Sequence, residues 1–316
     1  MRTLQNGSRL IIVGLMLVTG AVRGWSQNPD TTAAEKYGWG FRNFNDSLFT
    51  WDIYSHSYFW VPVDSEGTWA SATFDKLFYK LVFHTTLPNP DNTQGIGNCY
   101  GISLMSLMVN KFGGYYGFCG PTQAYHGDTT LSARGPDDPA LHRIINIMHG
   151  RQLSLASIET YLDQAQIGHS ENANVFLGVA RQTIAREGPC IISITKTLNP
   201  VSGGGHSLIA YGVTTDGSGV SKIWVVDPNR LWAVNGPGDR WWYQADSNYV
   251  LCEPGGNWKF IMSDGEVWPT SFQGHVIFVP ISVAGPPGRV PSSLGLSIGD
   301  LLSKFYISGE EKRPGK

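Results

Sequence analysis

Apolar positions recur three and four apart at Phe74, Leu77, Phe78 and Leu81, which predicts a helix over 71–84. Residues 88–97 are turn-rich. From Cys99 an apolar run (Ile102, Leu104, Met105, Leu107, Met108, Val109) predicts a buried helix that ends at Gly113-Gly114. Three further helices are predicted over 140–148, 154–165 and 172–186, with Ser154 as a cap and Gly188-Pro189 as a stop. Past Pro189 the pattern changes to short strands at Cys190–Thr195, 207–213 and 222–226, each bounded by Gly, Pro, Asn or Asp. Weaker strand patterns follow at 241–243, 249–251, 258–262 and 275–281, and 294–305 has the spacing of one short helix. Helices first and strands afterwards predict an α+β fold rather than alternating βαβ units.

Between about residues 37 and 87 aromatic residues crowd among polar ones with no clean period (Trp39, Phe41, Phe44, Phe49, Trp51 and onward). Such a segment either packs across the main body or walls a substrate cleft, and the pattern does not choose. At the N-terminus, Arg2 and Arg9 precede an apolar stretch over 10–22, and small and polar residues follow around Gly24 and Ser26. This is the layout of a signal peptide, so export is expected; an uncleaved amphipathic anchor is the alternative. No later segment has the roughly 20 apolar residues of a membrane helix. Charged residues are only 15% of the chain and the net charge is -2, which gives no electrostatic footprint for nucleic acid. The organisation expected is a signal peptide over 1–26, an aromatic-rich segment over 27–87, a catalytic domain over 88–284, and a linker and tail over 285–316.

Cys99 stands where a turn meets a helix, in Gln94-Gly95-Ile96-Gly97-Asn98-Cys99-Tyr100-Gly101. A cysteine there gains from unpaired backbone N–H groups and the positive end of the helix dipole, both of which favour the reactive thiolate. The glycines let the backbone approach a substrate carbonyl closely. A structural or disulfide-bonded cysteine is the alternative at this motif. Gly203-Gly204-Gly205-His206 delivers a histidine onto the first position of an apolar strand, and Val225-Val226-Asp227-Pro228-Asn229 ends the next strand in a carboxylate. Antiparallel pairing of those strands brings Asp227 beside His206, where it fixes the ring tautomer. His275, after Gly274 at another strand start, is a rival base, although nothing acidic follows it on an adjacent strand. The remaining histidines show no paired-ligand spacing for zinc, and no cofactor is expected. Asp137-Asp138 and Glu310-Glu311 read as solvated charges.

Together these residues resemble the papain-like superfamily of cysteine peptidases, particularly its bacterial Cys-His-Asp branches. The likeness covers roughly 94–229. Within it, Gly188-Pro189 plus an apolar strand, then Gly205-His206, looks like the double-glycine-leader peptidases. The resemblance implies a papain-like fold in which a helical part carrying the Cys helix packs on an antiparallel β-sheet carrying His and Asp. It implies a secreted thiol hydrolase acting on peptide or protein substrates through an acyl-enzyme, with Cys99, His206 and Asp227 as triad and Gln94 as oxyanion donor. Gln94 is one residue closer to the cysteine than the familiar spacing, so Asn98 stays a rival donor, and Asn229 competes with Asp227. A cell-wall amidase or transglutaminase-like acyltransferase uses the same residue types, and a non-catalytic binding module on this scaffold is a reading from another class.

With Cys99 kept for chemistry, Cys190 in an apolar strand, and Cys119 and Cys252 in Gly-rich, loop-like surroundings, one disulfide, Cys119 to Cys252, is the economical expectation. Trp232, Trp241, Trp242, Tyr243 and Trp258 either line a cleft or pack in the core, packing being the commoner role.

Overall fold

A computed structural model of the chain describes residues 31–46, 53, 56–58, 96–128, 135–165, 168–198, 204–231, 248–269 and 274–287. The signal peptide expected over 1–26, the helix expected over 71–84, the strand expected over 241–243, the helix expected over 294–305, Gln94, Trp232, Trp241, Trp242 and Tyr243 lie outside the described residues.

The architecture is α+β. Helix α1 (Thr31–Tyr37) leads through an irregular stretch to strand β1 (Asn45–Asp46), which pairs antiparallel with β2 (Ile96–Gly97). Helix α2 (Cys99–Phe112) follows at once, and every residue from Cys99 to Val109 is buried. It stops at Gly113, whose φ of 70° is left-handed backbone that favours glycine. Helices α3 (Pro139–Gly150), α4 (Leu155–Gln164) and α5 (Ala173–Glu187) begin at Asp138, Ser154 and Asn172, whose side chains each accept a first-turn N–H. Asp138 is therefore a helix cap rather than a merely solvated charge. A short last helix, α6, covers Ile281–Ala284.

Strands β3 (Cys190–Thr195), β4 (Gly205–Thr215), β5 (Ser221–Val226), β6 (Tyr249–Cys252), β7 (Trp258–Ile261), β8 (Val267–Trp268) and β9 (Val276–Val279) form one sheet in the order β8-β7-β6-β5-β4-β3-β9, with every pair antiparallel. Alternation along the strands sorts side chains between two cores. Ile191, Ile209, Val226 and Ile277 face α2, α3 and the aromatics Trp39, Phe41 and Phe44. Cys190, Ile192, Ile194, Leu208 and Ala210 face Phe176, Leu177 and Ala180 of α5. Each fully buried aliphatic contributes about 2 kcal/mol. Among the described residues no helix is long and apolar enough to cross a membrane.

Two expectations about cysteine are corrected. All four are free thiols, so there is no Cys119–Cys252 disulfide. Cys252 is not in a loop either: it ends β6, buried and paired in register with Ser221 and Trp258. Cys190 is fully buried in β3 as expected.

Candidate active site

Cys99 is the first residue of α2. The first intrahelical bond runs from Ile102 N–H to Asn98 O at 2.9 Å, so the N–H groups of Cys99, Tyr100 and Gly101 are not taken up by the helix. Gly101 lets this helix lie against α3, because a Cβ there would stand 2.2 Å from the Ile145 carbonyl oxygen. The sulfur rests against the start of β4, where Ser207 N–H donates to Sγ at 3.4 Å.

Antiparallel pairing puts the start of β4 beside the end of β5, with Ile209 opposite Val226. His206 and Asp227, each at the outer end of its strand, therefore meet. His206 Nε2 lies 2.8 Å from Asp227 Oδ1. An ionised carboxylate only accepts, so Nε2 carries the proton, and Nδ1 is the nitrogen left for the sulfur, to which the ring is hydrogen-bonded. Asn229 Nδ2 is 3.4 Å from the same Nε2, while Asn229 N–H donates to Asp227 Oδ1 at 2.8 Å. The carboxylate, charged and closer, is thus the ring's partner, and Asn229 braces the carboxylate. Arg230 Nε stands 3.7 Å from Asp227 Oδ2, and its two terminal nitrogens reach Asn248 Oδ1 and the Ile261 carbonyl.

Burial shapes the electrostatics. Cys99 is 9% exposed, His206 4% and Asp227 0%, so the sulfur is reachable only at its edge and the carboxylate is sealed. Burial alone would push the Cys99 thiol up. The hydrogen bond and charge of His206, with the N–H groups of Ser207 and Tyr100, outweigh burial and hold the thiol below its ordinary range. Burial would likewise lower His206, but the charge and hydrogen bond of Asp227, then those of Cys99, raise it to about 10. Asp227 is held below the usual carboxylate range: its burial is outweighed first by His206, then by Arg230 and the Asn229 N–H. The lowered thiol, the raised imidazole and the lowered carboxyl each favour the charged form of the group.

The described part of the site holds features the sequence did not reveal. Tyr161 Oη is 3.2 Å from Ser193 Oγ, which is 3.1 Å from Ser207 Oγ, a row of hydroxyls on the face of the sheet that carries α2. Burial, reinforced by the negative charge at Cys99, pushes the Tyr161 phenol up to about 12 despite its Ser193 hydrogen bond, so it stays a neutral hydroxyl. Arg230 sits three residues past Asp227, a spacing no motif would mark. A cavity behind Asp227 is walled by Tyr37, Trp39, Phe41, Ile102 and Val226.

Other sequence candidates fall elsewhere. His275 is buried, with Nδ1 2.7 Å from Ser170 Oγ and Nε2 3.2 Å from the Leu198 carbonyl oxygen. Both ring nitrogens are occupied, so it is a structural residue and not the base. Trp258 packs in the α5-side core and donates to the Gly274 carbonyl at 3.2 Å. Cys190 and Cys252 are pushed up to about 12 by burial. Asn98 is fully buried, and neither polar atom of its side chain has a hydrogen-bond partner. Among the described residues no group of three or more His, Cys, Asp or Glu is placed to hold a metal ion. Comparison with protein-family models, with curated proteins and with solved structures gives no match.

Proposed function

We propose that the chain is a thiol hydrolase of the papain-like kind, which cleaves amide bonds of peptide or protein substrates through Cys99, His206 and Asp227. The observation that carries the reading is a helix-start sulfur whose ionisation is coupled to a buried imidazole, itself hydrogen-bonded to a buried carboxylate. A helix bearing the nucleophile, laid on an antiparallel sheet bearing base and acid, supports the papain-like assignment.

The chemistry follows from the charge state. The Cys99 thiolate attacks the amide carbon, and the carbonyl electron pair moves onto oxygen. The Cys99 N–H and a carboxamide hold that oxyanion. Asn98 supplies the carboxamide, since its buried amide at the helix start has no other hydrogen bond; Gln94 is the competitor. As the tetrahedral species collapses to a thioester, His206 Nδ1 gives its proton to the leaving amine. Water then attacks the thioester, with His206 taking its proton, and the acid product leaves. Asp227 keeps Nε2 protonated throughout and balances the imidazolium. The apolar run over 10–22 supports export of this enzyme.

The test is labelling of the secreted protein with an electrophilic thiol probe and hydrolysis of a peptide library, for the native chain and for Cys99→Ala. Loss of hydrolysis and of one fast-labelling site is expected in the variant, the exposed Cys119 being labelled in both proteins. An unchanged number of fast-labelling thiols in Cys99→Ala, or hydrolysis that does not change, would overturn the reading. Adding an amine nucleophile during turnover separates hydrolysis from acyl transfer by the product formed.

A further inference from the structure

The stretch that joins α1 to β1 touches both halves of the site within four residues. Arg42 Nε donates to the Asn229 carbonyl at 3.3 Å, and Asn43 N–H donates to the Pro228 carbonyl at 2.9 Å. Next in sequence, Phe44 O accepts the N–H of Asn98 at 2.9 Å, and Asn45 pairs with Gly97 in the two-stranded ladder. One side of this strap therefore grips the turn that carries Asp227, and the other grips the backbone immediately before Cys99. The strap is itself anchored on α2: Ser106 Oγ donates to the Tyr37 carbonyl at 2.7 Å, and Trp39 Nε1 donates to the Ile102 carbonyl at 3.2 Å.

Resting on the triad reading above, we propose that residues 42–45 are a positioning strap for the triad, with Arg42 the positioning residue that acts through Asn229. The Asn229 residue is held at both ends, its N–H on Asp227 Oδ1 and its carbonyl on Arg42 Nε. If the carbonyl is released, the N–H loses its aim, the carboxylate loses a donor, and its hold on the imidazolium weakens. Because the same strap fixes Asn98, the distance between sulfur and imidazole depends on it too. Arg42 is only 7% exposed, so its guanidinium is committed to the interior rather than to solvent.

The experiment is the rate of Cys99 alkylation against pH, in the full chain, for Arg42→Gln, Arg42→Lys and Ser106→Ala, alongside thermal unfolding. Arg42→Gln should react about tenfold more slowly near neutrality, the size of one lost charged hydrogen bond. Its reactive pH window should narrow from the acid side, the acid limb moving up. Arg42→Lys, which keeps a charged donor, should recover part of the rate and of the window. Ser106→Ala loosens the strap's distant anchor, and should lower the unfolding temperature without moving either limb. A native window in Arg42→Gln, or equal narrowing in Ser106→Ala, would overturn the strap. A native chain with no thiolate window would instead refute the triad reading itself.

Amide exchange on the unmutated chain makes the claim independent of any variant's folding. The N–H groups of Asn43, Asn98 and Asn229 should exchange as one cooperative unit. Exchange of Asn43 about a hundredfold faster than the other two would mean that the strap lifts off without disturbing the site, and would refute the proposal.

Discussion

Asp227→Asn keeps the shape of the buried acid beside His206 and removes its charge. The carboxylate is fully buried and faces two cationic groups, the His206 ring at 2.8 Å and Arg230 Nε at 3.7 Å. Removing one partner from a buried ion pair costs about 3–5 kcal/mol, because the other charge stays out of water. His206 escapes that penalty by giving up its proton. With Asp227 neutral, burial, the largest influence on the ring, is no longer outweighed, and the imidazole titrates well below its native value of about 10. A neutral ring no longer holds the sulfur as thiolate. At about 1.4 kcal/mol per factor of ten, the lower bound of about 3 kcal/mol corresponds to roughly a hundredfold loss of reactive sulfur at neutral pH. The assay is second-order carboxymethylation of Cys99 against pH, read by mass spectrometry of the Cys99 peptide. The variant should react about a hundredfold more slowly at neutrality, with its rising limb displaced into the ordinary thiol range. A neutral-pH rate within about threefold of native and an unmoved limb would refute the argument that Asp227 sustains the charge pair.

Three other outcomes follow from the same geometry. Asn98→Ala should lower peptide hydrolysis by about a hundredfold, the usual cost of one oxyanion donor, while leaving the alkylation rate unchanged, since alkylation makes no oxyanion; unchanged hydrolysis would hand that role to Gln94. Gly101→Ala should destabilise by about 3 kcal/mol by chemical denaturation, because the new methyl would meet the Ile145 carbonyl oxygen at 2.2 Å and His149 Cβ at 2.9 Å; a variant as stable as the native chain would show that α2 and α3 separate without strain. In the native chain a soluble thiol reagent should modify Cys99 and Cys119 quickly and spare Cys190 and Cys252, both buried and both pushed up to about 12; peptide mapping that finds Cys190 modified before unfolding would contradict that core.

Much of the fold is visible in the sequence wherever local rules and tertiary packing agree. The strand at Cys190–Thr195 has the predicted bounds, and Ser154 and Gly113 cap helices where composition places them. Strand β4 runs past its predicted end at 213 because Thr214 and Thr215 continue the hairpin with β5, opposite Lys222 and Ser221, despite their polar character. The strap was not legible. It has no period, since its role is met by backbone groups and by one arginine reaching a carbonyl 187 residues away. Cys252 read as a loop residue because Pro254, Gly255 and Gly256 follow it, yet pairing with its neighbours makes it the end of a strand. His275 has the same glycine-then-strand signature as His206. What separates the two is the partner of the ring, a carboxylate for one and a serine and a carbonyl for the other, and only the three-dimensional pairing shows it.

The central claim is that Cys99 is a thiolate held by an imidazolium, and the ultraviolet absorbance of thiolate against pH tests it most directly when native protein is compared with Cys99→Ser. The lowered thiol places the appearance of that thiolate below the ordinary range, and the raised imidazole keeps the pair intact until His206 loses its proton near pH 10. The difference between the two proteins should therefore show one thiolate that appears below the pH range in which ordinary thiols ionise. A difference that appears only where ordinary thiols ionise would contradict the account.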